Sequence, residues 1–508
     1  MPNEIELKLR IATADIPSLR RHPALKQHLV GKPVTRKLVS IYYDTPELYL
    51  LDAAISLRVR RMSGGWFQAV KGAGHSLGGL HQRMEWEDII AKGEPDFTKL
   101  TKITEPGLAR LFADQSLRDA LKPVFTTDVQ RTEWQLAYAD GSAVEVALDL
   151  GELRVGESRT GELAAGNKRE PITEVELELK HGDARHLFEL ALNLQADIPL
   201  HIENISKAQR GYGYYWPLAA KVSRAQEVKL RADMSPHEAF AQIAGECLRQ
   251  LQSNQDVAAQ GDDAEGVHQM RVAVRRLCGA IKCFEYEIGD LQDELRWING
   301  HLAATREWDV LLQETLPAAQ TRGNEQRFDE LESSAQLCRS KTYQQLRRAL
   351  NSQRYQHLLL KLGLMLTTEY VSRQSLPKLA KKILQKGQKK LLAQSDSLIV
   401  LSPAQRHKLR IQVKHMRYMS EFFQTLQDHK KSFAVRLTDA QDALGRLNDI
   451  VVTQKLVQSL TNTPGSSEMK HTVVDHSIDD LLRWNSSRLD ETLQQADQAW
   501  RALLKTLP

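Results

Sequence analysis

Glu4-Ile5-Glu6-Leu7-Lys8-Leu9-Arg10 alternates charged with aliphatic residues. An extended strand places Glu4, Glu6, Lys8 and Arg10 on one face and Ile5, Leu7 and Leu9 on the other. A single such segment reads as a strand with one wetted face. The same alternation recurs in Leu57-Arg58-Val59-Arg60, Arg83-Met84-Glu85-Trp86-Glu87, Glu145-Val146-Ala147-Leu148-Asp149 and Glu174-Val175-Glu176-Leu177-Glu178-Leu179-Lys180, with Lys71 closing the similar Gln68-Ala69-Val70-Lys71. Rows of mixed charge on so many strands call for one explanation. Closing the sheet into a barrel removes its edges and gathers the rows around one axis, and eight strands enclose room for a small ligand. Lys8, Arg58, Arg60, Lys71 and Arg83 then supply donors for phosphate oxygens, and Glu4, Glu6, Glu176 and Glu178 supply hard oxygen ligands. Carboxylates repel a bare polyanion, so the mixed rows imply a divalent cation between them.

With 508 residues the chain exceeds one ordinary core, and two or three domains are expected. Cys247, Cys278, Cys283 and Cys338 form no CxxC pair and are too few for a disulfide framework, which fits a reducing cytoplasm. No apolar run approaches the ~20 residues of a membrane helix, and the first residues form no basic-then-apolar signal, so a soluble, unexported protein is expected. Residues 1–220 hold 28 Lys+Arg against 30 Asp+Glu, whereas residues 221–508 hold 41 against 34. The second part is therefore the basic one.

Along the first part, Asp15–Leu29, Asp96–Lys122 and Asp183–Gln195 read as helices, and Gly72-Ala73-Gly74 as a turn. Tyr212, Tyr214, Tyr215 and Trp216 read as packing groups before a boundary at Trp216-Pro217. Ser235-Pro236-His237-Glu238 has the pattern of a helix N-terminus, and helical periodicity follows almost to the end. A repeat runs through this region. His268-Gln269-Met270-Arg271-Val272-Ala273-Val274-Arg275 and His407-Lys408-Leu409-Arg410-Ile411-Gln412-Val413-Lys414 share the pattern H-x-x-R-aliphatic-x-x-basic, and each is followed by an aspartate, Asp309 or Asp449. At ~100° per residue, His268, Arg271, Arg275 and Lys282 fall in one arc, as do His407, Arg410, Lys414 and Arg417. Lys378–Lys390 is a further basic stretch, read as a solvated helix or a connector kinked at Gly387. Pro464-Gly465-Ser466-Ser467 reads as a loop.

Glu4-Ile5-Glu6-Leu7-Lys8 resembles the ExExK signature of the CYTH family, the triphosphate tunnel metalloenzymes. The resemblance continues in order through Tyr42-Tyr43-Asp44-Thr45, Leu57-Arg58-Val59-Arg60, Lys71-Gly72, the Arg83 strand, Arg131, Asp149, Glu176-Leu177-Glu178 and Ser206-Lys207-Ala208-Gln209-Arg210-Gly211-Tyr212. It departs where Ala53-Ala54 replaces a Gly usual before the LRxR strand. The His268 and His407 repeats resemble the CHAD domain, a helical domain often found after CYTH, with Glu307 where that family usually has an Arg-Asp pair. The implied fold is α+β: an N-terminal eight-stranded antiparallel β-barrel tunnel with peripheral helices over residues 1–217, a linker over 218–233, and an all-α domain over 234–508. That domain is made of two related helical bundles, about 234–370 and 371–508.

The first resemblance implies that Glu4, Glu6, Asp149, Glu176 and Glu178 hold one or two Mg2+ or Mn2+ ions, with Glu85 and Glu87 lining the tunnel. It implies further that Lys8, Arg58, Arg60, Lys71, Arg83, Arg131 and Lys207 clamp a triphosphate. The second implies that His268, Arg271, Arg275, Lys282, His407, Arg410, Lys414 and Arg417 bind inorganic polyphosphate. Together they point to a cytoplasmic inorganic triphosphatase acting on tripolyphosphate and associated with polyphosphate granules. Thiamine triphosphatase, class IV adenylate cyclase and a non-catalytic polyphosphate binder are the alternatives. Nucleic acid is not expected as a partner, since the basic stripes lack interleaved aromatic groups, nor is membrane, since no apolar run is long enough. No single general base is distinguished among glutamates sharing one lumen.

Overall fold

The computed structural model describes residues 3–62, 64–155, 168–216, 220–320, 328–368, 374–426, 431–461 and 468–507. Pro217 and the Pro464–Ser467 stretch lie outside the described residues. Contacts divide the chain into two units, residues 1–220 with 353–368, and residues 221–352 with 369–508.

The first unit is built on antiparallel strands: β1 (Asn3–Ile11), β2 (Val34–Asp44), β3 (Ser56–Met62), β4 (Gly65–Leu77), β5 (Leu80–Ile90), β6 (Lys122–Ala137), β7 (Ala143–Val155) and β8 (Lys168–His181). They hydrogen-bond in the order β5-β4-β3-β2-β6-β7-β8-β1, and β1 pairs back onto β5, so the eight strands close. The short β9 (Leu200–Ile202) adds to the end of β1 beyond its β5 pairing, opposite Leu9 to Ile11.

Alternation then sorts the side chains. Leu57 and Val59, on the outer face of β3, are fully buried in a cluster with Phe112 and Leu117, while Arg58 and Arg60 turn inward. The apolar core of this unit therefore lies outside the barrel, under its helices, and the charged rows lie inside.

The outer helices are shorter than the sequence periodicity implies. Asp15–Leu29 contains two helices, Ile16–Arg21 and Pro23–Gln27, because His22 ends the first and its Nδ1 accepts from Ala24 N at 3.2 Å while Pro23 opens the second. Asp96–Lys122 breaks into Phe97–Leu100, Pro106–Ala113 and Gln115–Ala120, each with an acidic N-cap, Asp96, Glu105 or Asp114. Gly72-Ala73-Gly74 is not a turn. It is an irregularity within β4, where a Cβ on Gly74 would lie 2.4 Å from the Gln82 carbonyl oxygen.

Ala54, standing where the resembling family has glycine nearby, adopts φ +56°. A left-handed alanine costs roughly 1 kcal/mol that glycine avoids. Ala54→Gly is accordingly expected to stabilise the protein by ~0.5–1 kcal/mol, seen as a higher urea midpoint; a lower midpoint would contradict it.

Two later helices complete this unit. Arg185–Asp197 buries Leu187, Phe188, Leu190, Ala191 and Leu194. Gln353–Thr367 packs on it so closely that a Cβ on Gly363 would stand 2.1 Å from the Phe188 ring. Gln353 and Gln356 accept from the backbone N–H groups of Leu200 and Ile202 at 3.2 and 2.9 Å, covering the outer edge of β9.

In the second unit, Ser235 caps Pro236–Ser253 in a capping box with Glu238. The His268 helix, Ala264–Cys283, packs between Pro236–Ser253 and Leu291–Val310, and the His407 helix, Pro403–Phe422, packs between Leu376–Leu392 and Lys431–Thr461. The two stripe-bearing helices also touch each other. Leu376–Leu392 runs through Gly387 unbroken, because a Cβ there would meet Met416 Sδ at 2.6 Å. Glycine serves close helix approach here, not a kink. No helix among the described residues is long and apolar enough to cross a membrane.

Candidate anion and cation site in the barrel, and a basic cleft

Strand register sets the barrel's interior. Lys8 lies opposite Glu176 and Glu6 opposite Glu178 across β1–β8, Lys71 opposite Glu85 across β4–β5, and Arg131 opposite Asp149 across β6–β7. Directly opposed residues share a face, so each pair meets inside. Glu4, Glu6, Lys8, Arg58, Arg60, Lys71, Arg83, Arg131, Glu176, Glu178 and Lys207 line one chamber of about 60 Å³. Ser56, Lys71, Arg83 and Ser206 also line a second chamber of about 230 Å³. Asp149 stands behind the lining and is buried, and Glu87 is exposed on the same strand as Glu85.

The interior is densely ion-paired. Lys71 Nζ lies 2.6 Å from Glu4 Oε1 and 3.3 Å from Glu85, and Lys8 Nζ lies 2.7 Å from Glu6 and also contacts Glu176. Arg131 grips Asp149 with two bonds of 2.7 Å and also meets Glu176. Lys207 reaches Asp149, Glu174 and Glu176 at 2.9, 2.7 and 2.8 Å. Seven cations and four glutamates line the chamber; Glu85, Asp149 and Glu174 pair to those cations and Lys180 pairs to Glu178, so most of the charge is neutralised internally.

Ionisation follows these contacts. Burial opposes the charge on Glu176, yet Lys207, Lys8 and Arg131 hold its carboxyl well below the usual range. Against the same burial penalty, Arg131 and Lys207 hold Asp149 at about 2. Glu178 goes the other way: burial raises it, the Lys180 ammonium at 2.8 Å only partly offsets this, and the neighbouring Glu4 and Glu145 add repulsion.

Two cations are not committed to carboxylates among the described residues. Arg60 donates to Ser40 Oγ at 3.0 Å and is pushed down to about 10 by burial and by Arg58 and Arg131. Arg83 Nη2 lies 3.0 Å from His81 Nδ1. His81 is buried and pushed down to about 4 by burial and by Lys8, so it is neutral near pH 7. Its Nε2 lies 3.0 Å from the Glu203 carbonyl, which only accepts, leaving Nδ1 free to accept from Arg83. Arg58 Nε is buried with no partner. Arg60, Arg83 and Arg58 Nε are thus the chamber's donors without a carboxylate partner among the described residues.

Helix Lys207–Tyr215 brings Lys207 to the lumen, held by a capping box between Ser206 and Gln209. A Cβ on Gly211 would lie 2.2 Å from the Phe125 ring, which stacks on Tyr42 at 4.5 Å. Glycine there lets the helix seat against the barrel. Burial opposes ionisation of the Tyr42 phenol, but Arg58 and Arg60 hold it below its ordinary value. Tyr42 and Ser206 were quoted in the sequence pattern without a role; His81, Glu174 and Ser40 were assigned none either. His81 carried a signal, since it sits two residues before Arg83 on the same alternating face.

A divalent cation suits the acidic part of the chamber in donor type. Glu4 and Glu178 are hard oxygen donors that repel each other, a strain that a cation between them relieves. As placed, no three acidic, His or Cys side chains among the described residues stand ready around one ion, because lysine and arginine partners hold them.

In the second unit the two stripes converge. Arg271, Arg306, Glu307, His407, Arg410, Asn448 and Asp449 line one cleft of about 170 Å³. Lys414 is pushed down to about 6 by burial and by Arg275, Arg410 and Arg271. His268 is pushed down to about 4 by burial and by Arg306, Arg275 and Arg271. The Nε atoms of Arg271, Arg275 and Arg410 are buried without partners.

Of the eight stripe residues, Arg271, His407 and Arg410 line this cleft, and two others face elsewhere. Lys282, in the last turn of its helix, lines a different cavity. Arg417 donates to Gln441 Oε1 at 2.7 Å and to Glu421. The two aspartates following the repeats also differ. Asp449 faces the cleft, whereas Asp309 is buried against Arg339 Nε at 2.7 Å and Tyr343 Oη at 3.0 Å.

The CYTH domain family matches residues 2–212 and the CHAD domain family residues 242–458. An inorganic triphosphatase of Haemophilus influenzae is 31% identical over 214 residues, which is 42% of this chain and 55% of that protein. The chain thus spans about half the length of that curated relative. The CHAD domain from the plant Ricinus communis is 34% identical, covering 54% of this chain and 96% of that one, at a TM-score of 0.49. A putative adenylyl cyclase from Hippeastrum, described as revealing a dominant triphosphatase activity, is 15% identical, covering 42% of this chain and 96% of that one, at a TM-score of 0.29.

Proposed function

We propose that this chain, a CYTH domain followed by a CHAD domain, is an inorganic triphosphatase that cleaves tripolyphosphate to pyrophosphate and phosphate, with a basic helical cleft for polyphosphate. The observation that carries the reading is the internally ion-paired lumen. Most of its bases are already engaged by carboxylates, so substrate must exchange for the internal ion pairs.

Arg60 and Arg83 are free to take the first phosphoryl oxygens, and Arg58 Nε adds a donor without losing a bond. As the anion advances, Lys71, Lys8, Arg131 and Lys207 pass from their carboxylates to phosphoryl oxygens. That leaves Glu4, Glu6 and Glu176 unpaired and, together with Glu178, which keeps Lys180 as its partner at 2.8 Å, able to hold Mg2+ or Mn2+, with Asp149 and Glu85 supporting them from behind. When bound, such an ion neutralises charge that accumulates on the phosphoryl oxygens. The cations clamp the chain in line and stabilise the departing pyrophosphate, which is most of what phosphoryl transfer asks of a protein. His81 keeps Arg83 oriented without placing beside it a carboxylate that would repel substrate.

A side-by-side assay of tripolyphosphate, thiamine triphosphate and ATP tests this. We expect phosphate release that needs a divalent cation and a kcat/KM for tripolyphosphate at least tenfold above the other two. The 60 Å³ inner chamber supports the small inorganic substrate, because charged groups form most of its wall. Cyclic AMP formed from ATP, or preference for thiamine triphosphate, would overturn the choice of substrate. In the second unit, convergence of Arg271, Arg275, Arg410 and Lys414 around unpartnered guanidinium Nε atoms supports polyphosphate. Granule association and a cytoplasmic setting follow from that partner.

A further inference from the structure

A cavity of about 740 Å³ opens in the second unit between helices Leu376–Leu392 and Pro403–Phe422 and the end of Ala264–Cys283. Five lysines stand around it: Lys282, Lys382, Lys386, Lys390 and Lys408. Its acidic lining residue is Glu285, an exposed side chain 3.7 Å from Lys386. The walls are different in kind. Phe284, Leu379, Ile383, Ile411 and Met419 form them, and Ile411 stays 43% exposed. This separates the cavity from the cleft at Arg271 and Arg410, where polar and charged groups form most of the wall.

The two halves of the lining ask for two chemistries in one molecule. A chain of phosphates satisfies the lysines and leaves the apolar wall wetted. A neutral apolar molecule covers the wall and leaves the lysines with no acceptor. The volume lies within the range of small-molecule sites, ~300–1,000 Å³. Gly387 contributes to the shape, since its missing side chain lets the Leu376–Leu392 helix approach Met416 and Met419.

We infer that this cavity binds a small amphipathic anion, an acyl or aryl group carrying a phosphate or carboxylate head, with the apolar part against Ile383, Ile411 and Phe284 and the head among Lys282, Lys386 and Lys390. The site makes the helical unit a receptor for an organic metabolite in addition to any inorganic polyanion.

Calorimetric titration of the full chain, below micelle-forming concentrations, tests this with dodecyl phosphate, laurate, dodecanol and tripolyphosphate. Saturable binding of dodecyl phosphate or laurate to one site is expected, at least about tenfold tighter than dodecanol, because charge-assisted bonds to lysine supply that margin. The dodecyl phosphate to laurate ratio identifies the head. Lys386→Gln with Lys390→Gln, both exposed and outside the barrel, is expected to weaken binding about tenfold or more while leaving the circular dichroism and triphosphate hydrolysis unchanged. Ile411→Ser, also at an exposed position, should weaken the alkyl ligands and spare tripolyphosphate. Equal affinity for dodecanol, displacement of dodecyl phosphate by equimolar tripolyphosphate, or binding unaffected by both variants would overturn the assignment.

Discussion

Glu6→Gln is expected to lower kcat/KM for tripolyphosphate by ~10²–10³ while moving the unfolding midpoint only slightly. The amide keeps the shape of a nearly buried side chain whose Oε2 sits 2.7 Å from Lys8 Nζ, so packing is preserved. Lys8 also keeps Glu176 as a partner. What disappears is one negative charge from a densely ion-paired lumen. A divalent cation loses a ligand, and the concentration of Mg2+ or Mn2+ needed for half-maximal phosphate release should rise together with the fall in rate. Undiminished turnover at ordinary Mg2+ would remove Glu6 from the cation's shell and with it the exchange of ion pairs proposed here. A loss of activity accompanied by unfolding would place Glu6 among structural groups instead, so circular dichroism belongs in the same experiment.

Polyphosphate binding by the helical unit should weaken by up to tenfold per pH unit between about pH 7 and 9, and the slope should vanish in Lys414→Met. The cause is the position of Lys414. Burial and three arginines, Arg275, Arg410 and Arg271, push its ammonium down to about 6, with Asp449 opposing them. Free protein at pH 8 therefore holds Lys414 neutral. A polyanion in the cleft restores the charge, so binding takes up about one proton and is penalised as protons become scarce. Stability moves in the opposite sense. The folded value lies below the ordinary 10.5, so the unfolded chain binds the extra proton between about pH 6 and 10.5, and folding stability gains as pH rises through that window. Titration calorimetry in two buffers of different ionisation enthalpy reads the proton uptake directly. Binding that neither takes up protons nor changes slope in the variant would put the polyanion elsewhere.

How far these groups were visible in sequence varies with the kind of information each needs. Arg58 and Arg60 were legible because period two separates them from Leu57 and Val59, and a strand of known direction leaves little freedom to a side chain. β6 escaped a reading as a strand because its run starts at Pro123 and mixes Thr, Gln and Asp with its apolar positions, blurring the alternation; only Arg131 was picked out. Glu174 stood in a quoted strand, yet its burial depends on Lys207 and Arg210 arriving from a helix more than thirty residues on. No local pattern carries that. In the helical region, angular arithmetic placed Lys282 and Arg417 on the right arcs but ignored position along the axis. Lys282 lies at the last turn, in a different cavity, and Arg417 has Glu421 and Gln441 to satisfy it. Gly387 and Ala54 show the same limit from the backbone side: the solvated helix or kinked connector expected around Gly387 is a helix in close contact there, and Ala54, noted only as a departure from a usual Gly, carries a left-handed φ.

Gln353–Thr367 has a practical consequence for anyone wishing to study the barrel in isolation. Scissors applied after Ala220 would discard the glutamines that quench the β9 edge and strip the cover from Phe188. The severed piece would present bare peptide groups and an oily patch, an invitation to aggregate. One half borrows a splint from the sequence of the other, and shuffling either onto a new neighbour would require carrying that splint along.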